Sequence, residues 1–216
     1  EWIDLFNTTL KDAVRIRLRA DVPFGAFLSG GVDSSSVVGI MSQNLTEPVN
    51  TFCIGFDDPL YDESPYAQEA ATRFNTQHVM EKVHPNLLDL WPMATYHCDQ
   101  PHGDVSFLPT YKLASLAAKE VSMVLTGDGA DELFAGYDKY RDFFTPETLS
   151  ISDIEFQRNY QDNISLFDSS DRTKLFSTTF ATHIVDPNCN QVLDPVYEKS
   201  SHMDRINQAL YIDLSL

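Results

Sequence analysis

Residues 24–43, FGAFLSGGVDSSSVVGIMSQ, constrain this chain more than any other stretch. An apolar run ends in a turn with two glycines, and an amphipathic helix follows at once. Phe24 to Leu28 read as a short buried strand. Ser29, Gly30 and Gly31 form the turn, where glycine reaches backbone conformations closed to other residues. Val37, Val38, Met41 and Leu45 recur at helical spacing, so a helix is predicted to start near Asp33. Strand, turn and helix in that order bring Ser29, Ser34, Ser35 and several backbone N–H groups to the positive end of a helix. That is an anion site. No lysine follows Gly31, as a Walker loop requires, and the three spaced glycines of a dinucleotide fingerprint are absent. An acid in such a cradle, Asp33, fits a divalent cation held between it and phosphates. The alternative is a plain strand-to-helix turn in which Asp33 and Ser34 are N-terminal caps.

The rest of the chain alternates strand and helix patterns. A helical stripe (Ile3, Phe6, Leu10, Ala13, Val14) precedes the breaker Asp21-Val22-Pro23. Residues 50–56, NTFCIGF, read as a second strand, and 76–83 as a third. A helix marked by Ala67, Ala70, Ala71 and Phe74 lies between them. The acidic loop from Asp57 to Pro65 is either solvated or faces a substrate. Residues 85–97 are helical in pattern but interrupted by Pro92, and a breaker-rich loop, 98–104, follows. A helix through Leu113, Leu116 and Ala117 leads into a fourth strand, Val121 to Thr126. This order predicts an α/β fold with a mostly parallel sheet and helices on both faces. Ligands in such sheets bind at the carboxyl ends of strands.

The segment LTGDGADELFAGY, residues 125–137, lies at such an end. One reading pairs Asp131 with Asp33 around Mg²⁺, with Thr126 and Gly127 in close polar contact with the ligand. The other is a capped turn with Asp128 and Asp131 placed for the helix dipole. Lys139 and Arg141 are the basic residues nearest this segment. After residue 143 the composition turns to Ser, Asn, Asp and Thr with scattered apolar anchors. That predicts a nucleotide-binding domain over 1–143 and a helical subdomain with long loops over 144–216, with Pro187 and Pro195 bracketing an irregular stretch around Cys189. His183, His202 and Asp186 have no ligand spacing and read as surface or capping residues.

The formal net charge is −17. It disfavours nucleic acid and anionic membranes as partners, so a triphosphate site here has to be local. Cys53, Cys98 and Cys189 are far apart, and a sparse, odd count fits a reducing compartment, hence the cytoplasm. No apolar run reaches membrane-spanning length, and no signal peptide pattern opens the chain.

LSGGVDSS after a strand, TFCIGF followed by YDESPYA, and LTGDGADELFAGYDKY resemble the synthetase domain of glutamine-hydrolysing asparagine synthetases. The first motif is shared across ATP pyrophosphatases, including GMP synthetase and argininosuccinate synthetase. The motif in the last of these stretches is much narrower. The resemblance is clear over residues 1–143 and weaker beyond. It implies the adenine nucleotide alpha hydrolase-like fold, ATP and Mg²⁺, and adenylation of the aspartate side chain with release of pyrophosphate. Ammonia derived from glutamine then attacks. On this resemblance Ser29, Gly30, Gly31, Asp33, Ser34 and Ser35 hold the pyrophosphate portion, and the backbones of Leu28 and Ile54 read adenine. Thr126 and Gly127 contact the nucleotide, Asp128 helps form and keep the acyl-adenylate, and Asp33 and Asp131 bind Mg²⁺. The partners it implies are an N-terminal glutaminase domain and small-molecule substrates, and it admits a homodimer. The family continues with Lys-x-Asp-Arg and Arg-x-Pro-x-Leu-Asp stretches that supply phosphate contacts, so residues 1–216 alone are expected to be weak or inactive. Two rival readings are an amidotransferase for another carboxylic acid, in β-lactam formation or sugar-acid amidation, and a nucleotide-binding module without catalysis.

Overall fold

The computed structural model describes residues 1–83, 85–100, 103–104, 106–185 and 190–215. By contacts the chain divides into two compact units, Glu1–Asp128 and Gly129–Leu216. This division comes earlier than the change of composition after residue 143.

The first unit opens with α1 (Trp2–Arg17), whose last turn carries Arg15 and Arg17 at the negative end of the helix dipole. It continues through β1 (Phe24–Phe27), α2 (Val32–Asn44), β2 (Asn50–Gly55), α3 (Ser64–Phe74) and β3 (Gln77–Lys82). A 3₁₀ turn at Pro85–Leu90 leads to α4 (Trp91–His97), α5 (Phe107–Ala117) and β4 (Met123–Leu125). Pro92, expected to interrupt a helix, instead lies in the first turn of α4. Its missing N–H costs nothing there.

All strand pairings are parallel and the order is β3-β2-β1-β4. The two faces can be read from strand alternation. Ala26, Leu28, Cys53 and Leu125 pack with Val14, Val37, Val38, Met41, Ala67 and Ala71 of α1, α2 and α3. Phe27, Phe52 and Val124 point the other way, onto Leu113, Leu116, Ala117 and Val121 at α5 and its end. Helices therefore cover both faces, as the strand–helix alternation required. The chain steps outward from β1 to β3, then returns to β1's other side as β4. That reversal leaves a crevice at the carboxyl ends of β1 and β4, where open α/β sheets bind ligands.

A small polar cluster links β2 to β3. Thr51 Oγ1 lies 2.8 Å from Thr76 Oγ1 and 2.9 Å from His78 Nδ1. His78 Nε2 is buried without a hydrogen-bond partner among the described residues. A protonated ring would leave one N–H unsatisfied, and burial lowers the His78 pKa below its ordinary 6.5. A group depressed in the folded state contributes stability above its unfolded pKa and loses it as pH falls. The urea midpoint is therefore expected to drop between pH 7.5 and pH 5.5, and His78→Gln should flatten that dependence; an equal slope in the variant would rule His78 out as its source.

The second unit is helical, with α6 (Ala130–Phe134), α7 (Asp138–Phe143), α8 (Pro146–Ser150), α9 (Asp153–Ile164), α10 (Ser169–Leu175), α11 (Thr178–Ala181), α12 (Asn190–Ser200) and α13 (Arg205–Ser215). Its core gathers Phe143, Phe156, Tyr160, Leu193, Tyr197, Ala209 and Ile212. The Phe156 and Tyr160 rings stack at 5.9 Å. Four of the polar residues of this stretch cap helices. Side chains of Thr145, Ser152, Asp168 and Ser177 accept backbone N–H bonds at the starts of α8, α9, α10 and α11. The irregular stretch expected up to Pro195 is also corrected, because Pro195 lies inside α12. Leu193 and Tyr197 on either side of it are buried in the core, and tertiary packing overrides the local cost of the proline. Asp186, Pro187 and Cys189 fall outside the described residues. Among the described residues, no helix is long and apolar enough to cross a membrane.

Candidate functional site

The site is assembled on the first unit from the turn after β1. Leu28 N–H donates to Phe52 O at 2.9 Å, extending the ladder by one residue. The chain then leaves the sheet through Ser29, Gly30 and Gly31. Gly30 adopts φ +86°, and a Cβ there would overlap the Tyr66 carbonyl carbon and the Ala67 nitrogen of α3. Both the backbone conformation and the close approach demand glycine. Ser29 Oγ sits 2.9 Å from Ser34 Oγ and accepts the Gly31 N–H at 3.2 Å, while Ser29 N–H donates to Ser34 Oγ at 3.2 Å. These bonds tie the turn to the first turn of α2, whose leading amides have no carbonyl within the helix to bond. Ser35 does not join the hydroxyl pair. Its backbone N–H closes the first turn onto Gly31 O at 3.0 Å, and its Oγ is buried without a partner among the described residues. One residue further along a helix rotates the side chain by about 100°, toward the clefts lined by Phe6, Leu10, Tyr66 and Phe74.

The loop after β4 meets this turn. A Cβ at Gly127 would lie 2.7 Å from Ser34 N and 2.9 Å from the Asp33 carbonyl carbon. Only glycine lets the two backbones come this close. Thr126 Oγ1 donates to Asp128 Oδ2 at 2.9 Å, which orients the Asp128 carboxylate. No hydrogen bond or ion pair among the described residues engages the Asp33 carboxylate. Ile54 lies on the open side of β2. Gly55 O accepts from Val83 N at the β3 edge, so ladder alternation turns the Ile54 N–H and C=O toward β1's side, beyond its last paired residue. Beside it, burial pushes the Cys53 thiol up to about 11, with Glu63 and Asp62 adding to the rise, so this cysteine is no nucleophile.

Asp131 belongs to the second unit, in the first turn of α6. Lys139 and Arg141 are both committed there. Lys139 Nζ pairs with Asp213 at 2.7 Å, and Arg141 pairs with Asp138 at 2.9 Å and Asp142 at 3.1 Å. Asp62, in the loop left open between solvated and substrate-facing, holds the fold. It accepts N–H bonds from Phe56 at 3.3 Å and Ser64 at 3.1 Å. The Ser64 bonds keep its carboxyl below the usual range. The Asp-x-Ser spacing ahead of a helix is the Asx-turn signal for this role.

Among the described residues, no group of three or more His, Cys, Asp or Glu side chains converges into a preformed metal cage. Mg²⁺ needs none, since one or two carboxylates with substrate phosphates and water suffice. The unengaged Asp33 carboxylate, beside a helix N-terminus and a cradle that a Cβ would fill, fits a cation-bridged triphosphate.

The asparagine synthase family profile matches residues 5–215. A Methanocaldococcus jannaschii protein, provisionally named asparagine synthetase (glutamine-hydrolysing) 2, is 48% identical over 134 residues, 59% of this chain and 25% of that protein. Asparagine synthetase (glutamine-hydrolysing) 1 of Bacillus subtilis is 36% identical over 145 residues, 67% of this chain and 22% of that protein. Amidase chyE of Penicillium rubens is 34% identical over 148 residues, 61% of this chain and 22% of that protein. The chain thus spans about a quarter of the length of these relatives. Among solved structures, an NH3-dependent NAD synthetase from Campylobacter jejuni covers 92% of this chain and 96% of its own at 12% identity and TM-score 0.42, a likeness too loose to carry an argument.

Proposed function

The chain belongs to the asparagine synthase family, and from that premise we propose that it is the ATP-dependent, amide-forming part of a glutamine-hydrolysing asparagine synthetase. ATP adenylates the side-chain carboxylate of aspartate, pyrophosphate leaves, and ammonia attacks the activated carboxyl to give asparagine. An N-terminal glutaminase domain of the whole protein supplies that ammonia. The observation that carries the reading is the contact of Gly127 with Asp33 and Ser34 at the β1/β4 crevice. It joins the anion-binding turn to the loop that bears Asp128.

In this reading the Ser29–Gly31 turn, Ser34 and the leading amides of α2 receive the pyrophosphate portion. Fixed N–H donors meet charge as it develops, with no reorganisation at the moment of reaction. Ser35 contributes its backbone turn to the cradle, and its hydroxyl is buried without a partner among the described residues. The backbones of Leu28 and Ile54 read adenine, although Leu28 N–H already donates to Phe52 O and Ile54 O accepts from Cys53 Sγ, and Thr126 and Gly127 flank the nucleotide. Asp128, oriented by Thr126, guides formation of the acyl-adenylate. Asp33 is the assigned Mg²⁺ ligand of the first unit, and the ion would offset the negative charge of the departing pyrophosphate.

A second reading keeps the chemistry and changes the acceptor. It is favoured by the fungal relative named an amidase, which matches this chain about as closely as the bacterial synthetase does. ATP–pyrophosphate exchange, run with Mg²⁺ and a panel of carboxylic acids, separates the two. Slow exchange that depends on aspartate is expected. Exchange driven by a different acid would support the second reading, and no exchange with any acid would reduce the chain to a nucleotide-binding module.

A further inference from the structure

The loop after β2 carries a clamp that the proposed chemistry does not use. Asp62 Oδ1 alone accepts two backbone N–H groups, from Phe56 at 3.3 Å and from Ser64 at 3.1 Å. Phe56 directly follows β2 and Ser64 opens α3, so one oxygen joins the end of a strand to the start of a helix. The leading amides of a helix have no carbonyl within it to bond, and the N-cap of α3, Glu63, makes no side-chain cap bond. Asp62 meets one of those amides instead. The joint is tight, because a Cβ at Gly55, the last residue of β2, would lie 3.1 Å from both Asp62 Oδ1 and Ser64 Oγ.

The first turn of α3 in turn backs the cradle. The overlap that a Cβ at Gly30 would make is with backbone atoms of Tyr66 and Ala67, so backbone lies on backbone there, with no side chain between to absorb a shift. The Tyr66 and Ala67 N–H groups both donate to Glu63 O, at 3.0 and 3.1 Å. These two residues therefore move with the residue next to Asp62. The far end of α3 is held separately: a Cβ at Gly39 of α2 would lie 3.1 Å from the Phe74 ring. That contact leaves the first turn to the clamp.

We propose that Asp62 is a positioning residue for the turn at residues 29–31: by clamping the start of α3 to the end of β2, it holds Tyr66 and Ala67 against Gly30 and keeps the cradle in one shape for the pyrophosphate portion. This rests on the proposed assignment of that portion to the turn. Asp62 acts here through α3 and touches no ligand. What it supplies is geometry rather than charge, since both backbone bonds fall on one oxygen.

The test is calorimetric titration of the 216-residue chain with ATP and, separately, with inorganic pyrophosphate, both in Mg²⁺. Asp62→Ala is expected to lower both affinities about tenfold, the lower end for residues that orient a ligand. Asp62→Asn keeps a carbonyl oxygen that can accept both bonds, and asparagine forms the same turn, so it should restore both affinities close to wild type. Amide hydrogen exchange in Asp62→Ala should quicken at residues 30–35 and 64–67 while β1 and β2 stay protected. A folded Asp62→Ala chain that binds both ligands like wild type overturns the inference and leaves the ATP reading standing. So does an Asp62→Asn chain as weak as Asp62→Ala, which would place the charge itself at the ligand. A loss confined to ATP, with pyrophosphate binding unchanged, overturns it too, because the turn would then be intact. A wild-type chain that binds neither ligand overturns the assignment of the turn, and the inference with it. If Asp62→Ala unfolds the first unit, Asp62→Ser, whose hydroxyl makes the same turn more weakly, takes its place: weaker binding of both ligands by a folded chain supports the inference, and wild-type binding overturns it.

Discussion

Replacing Gly30 with alanine is expected to abolish ATP binding and to destabilise the first unit. Two separate costs combine at this position. The left-handed backbone costs a residue with a Cβ about 1–2 kcal/mol, and forcing that carbon into packed neighbours costs about 1–3 kcal/mol. The neighbours are backbone atoms of α3, at Tyr66 and Ala67, and cannot step aside as a side-chain tip would. A total near 3 kcal/mol corresponds to a melting temperature lower by roughly 6–12 °C for a chain of this size. Relief comes only by moving the turn away from α3, which also unseats Ser29 from Ser34 and spoils the cradle. Gly129→Ala is the control. Its φ is +90°, but nothing lies within 4 Å of the added carbon, so only the conformational cost applies. Thermal scans and ATP titrations of the two variants separate these terms, and a Gly30→Ala chain that melts and binds like wild type would refute the packing argument.

Asp33→Asn is expected to act oppositely, on binding and hardly on stability. No partner among the described residues engages the carboxylate, so its only structural contribution is a favourable place in the first turn of α2, about 0.3–1 kcal/mol. As a direct ligand it should count for at least as much as the 10–100-fold typical of residues that merely orient ligands, so ATP affinity in Mg²⁺ should fall about a hundredfold. Affinity without Mg²⁺ should change little, or rise slightly as a negative charge leaves the phosphate site. Titration of wild type and variant, each with and without Mg²⁺, gives the four numbers needed. Gly31 is the N-cap of α2 and no side chain caps it, so Asp33 is not the cap that the alternative reading made it; an Mg²⁺ effect unchanged in Asp33→Asn would remove the metal assignment.

The uneven legibility of this chain follows from the range of the interactions involved. The turn after β1 could be read because its signals are local: an apolar run, two glycines and a helical stripe, each decided within a few residues. The same holds for the parallel sheet, which follows from alternating periods. The second unit is less legible because several of its polar residues cap helices, three of them of seven residues or fewer, and because Pro195 survives inside α12 only by virtue of the core around Leu193 and Tyr197. Asp62 has the composition of a solvated acidic loop around it, and only its two backbone donors reveal its structural part. Asp213 carries no local signal at all, since its partners lie 73 and 74 positions earlier in the chain.

By itself the sequence determined that a strand ends in a glycine turn leading into a helix, that the sheet is parallel, and which acids stand in the two motifs. Those follow from backbone sterics and residue spacing, which need no distant partner. Tertiary structure alone decided that β4 returns beside β1, that Gly127 therefore lies on Asp33 and Ser34, and that the Ser35 hydroxyl is buried without a partner among the described residues. It also decided that Lys139 is held by Asp213. Each of these depends on which strand neighbours which and on which charge is buried, and both are settled by packing between segments far apart in the chain.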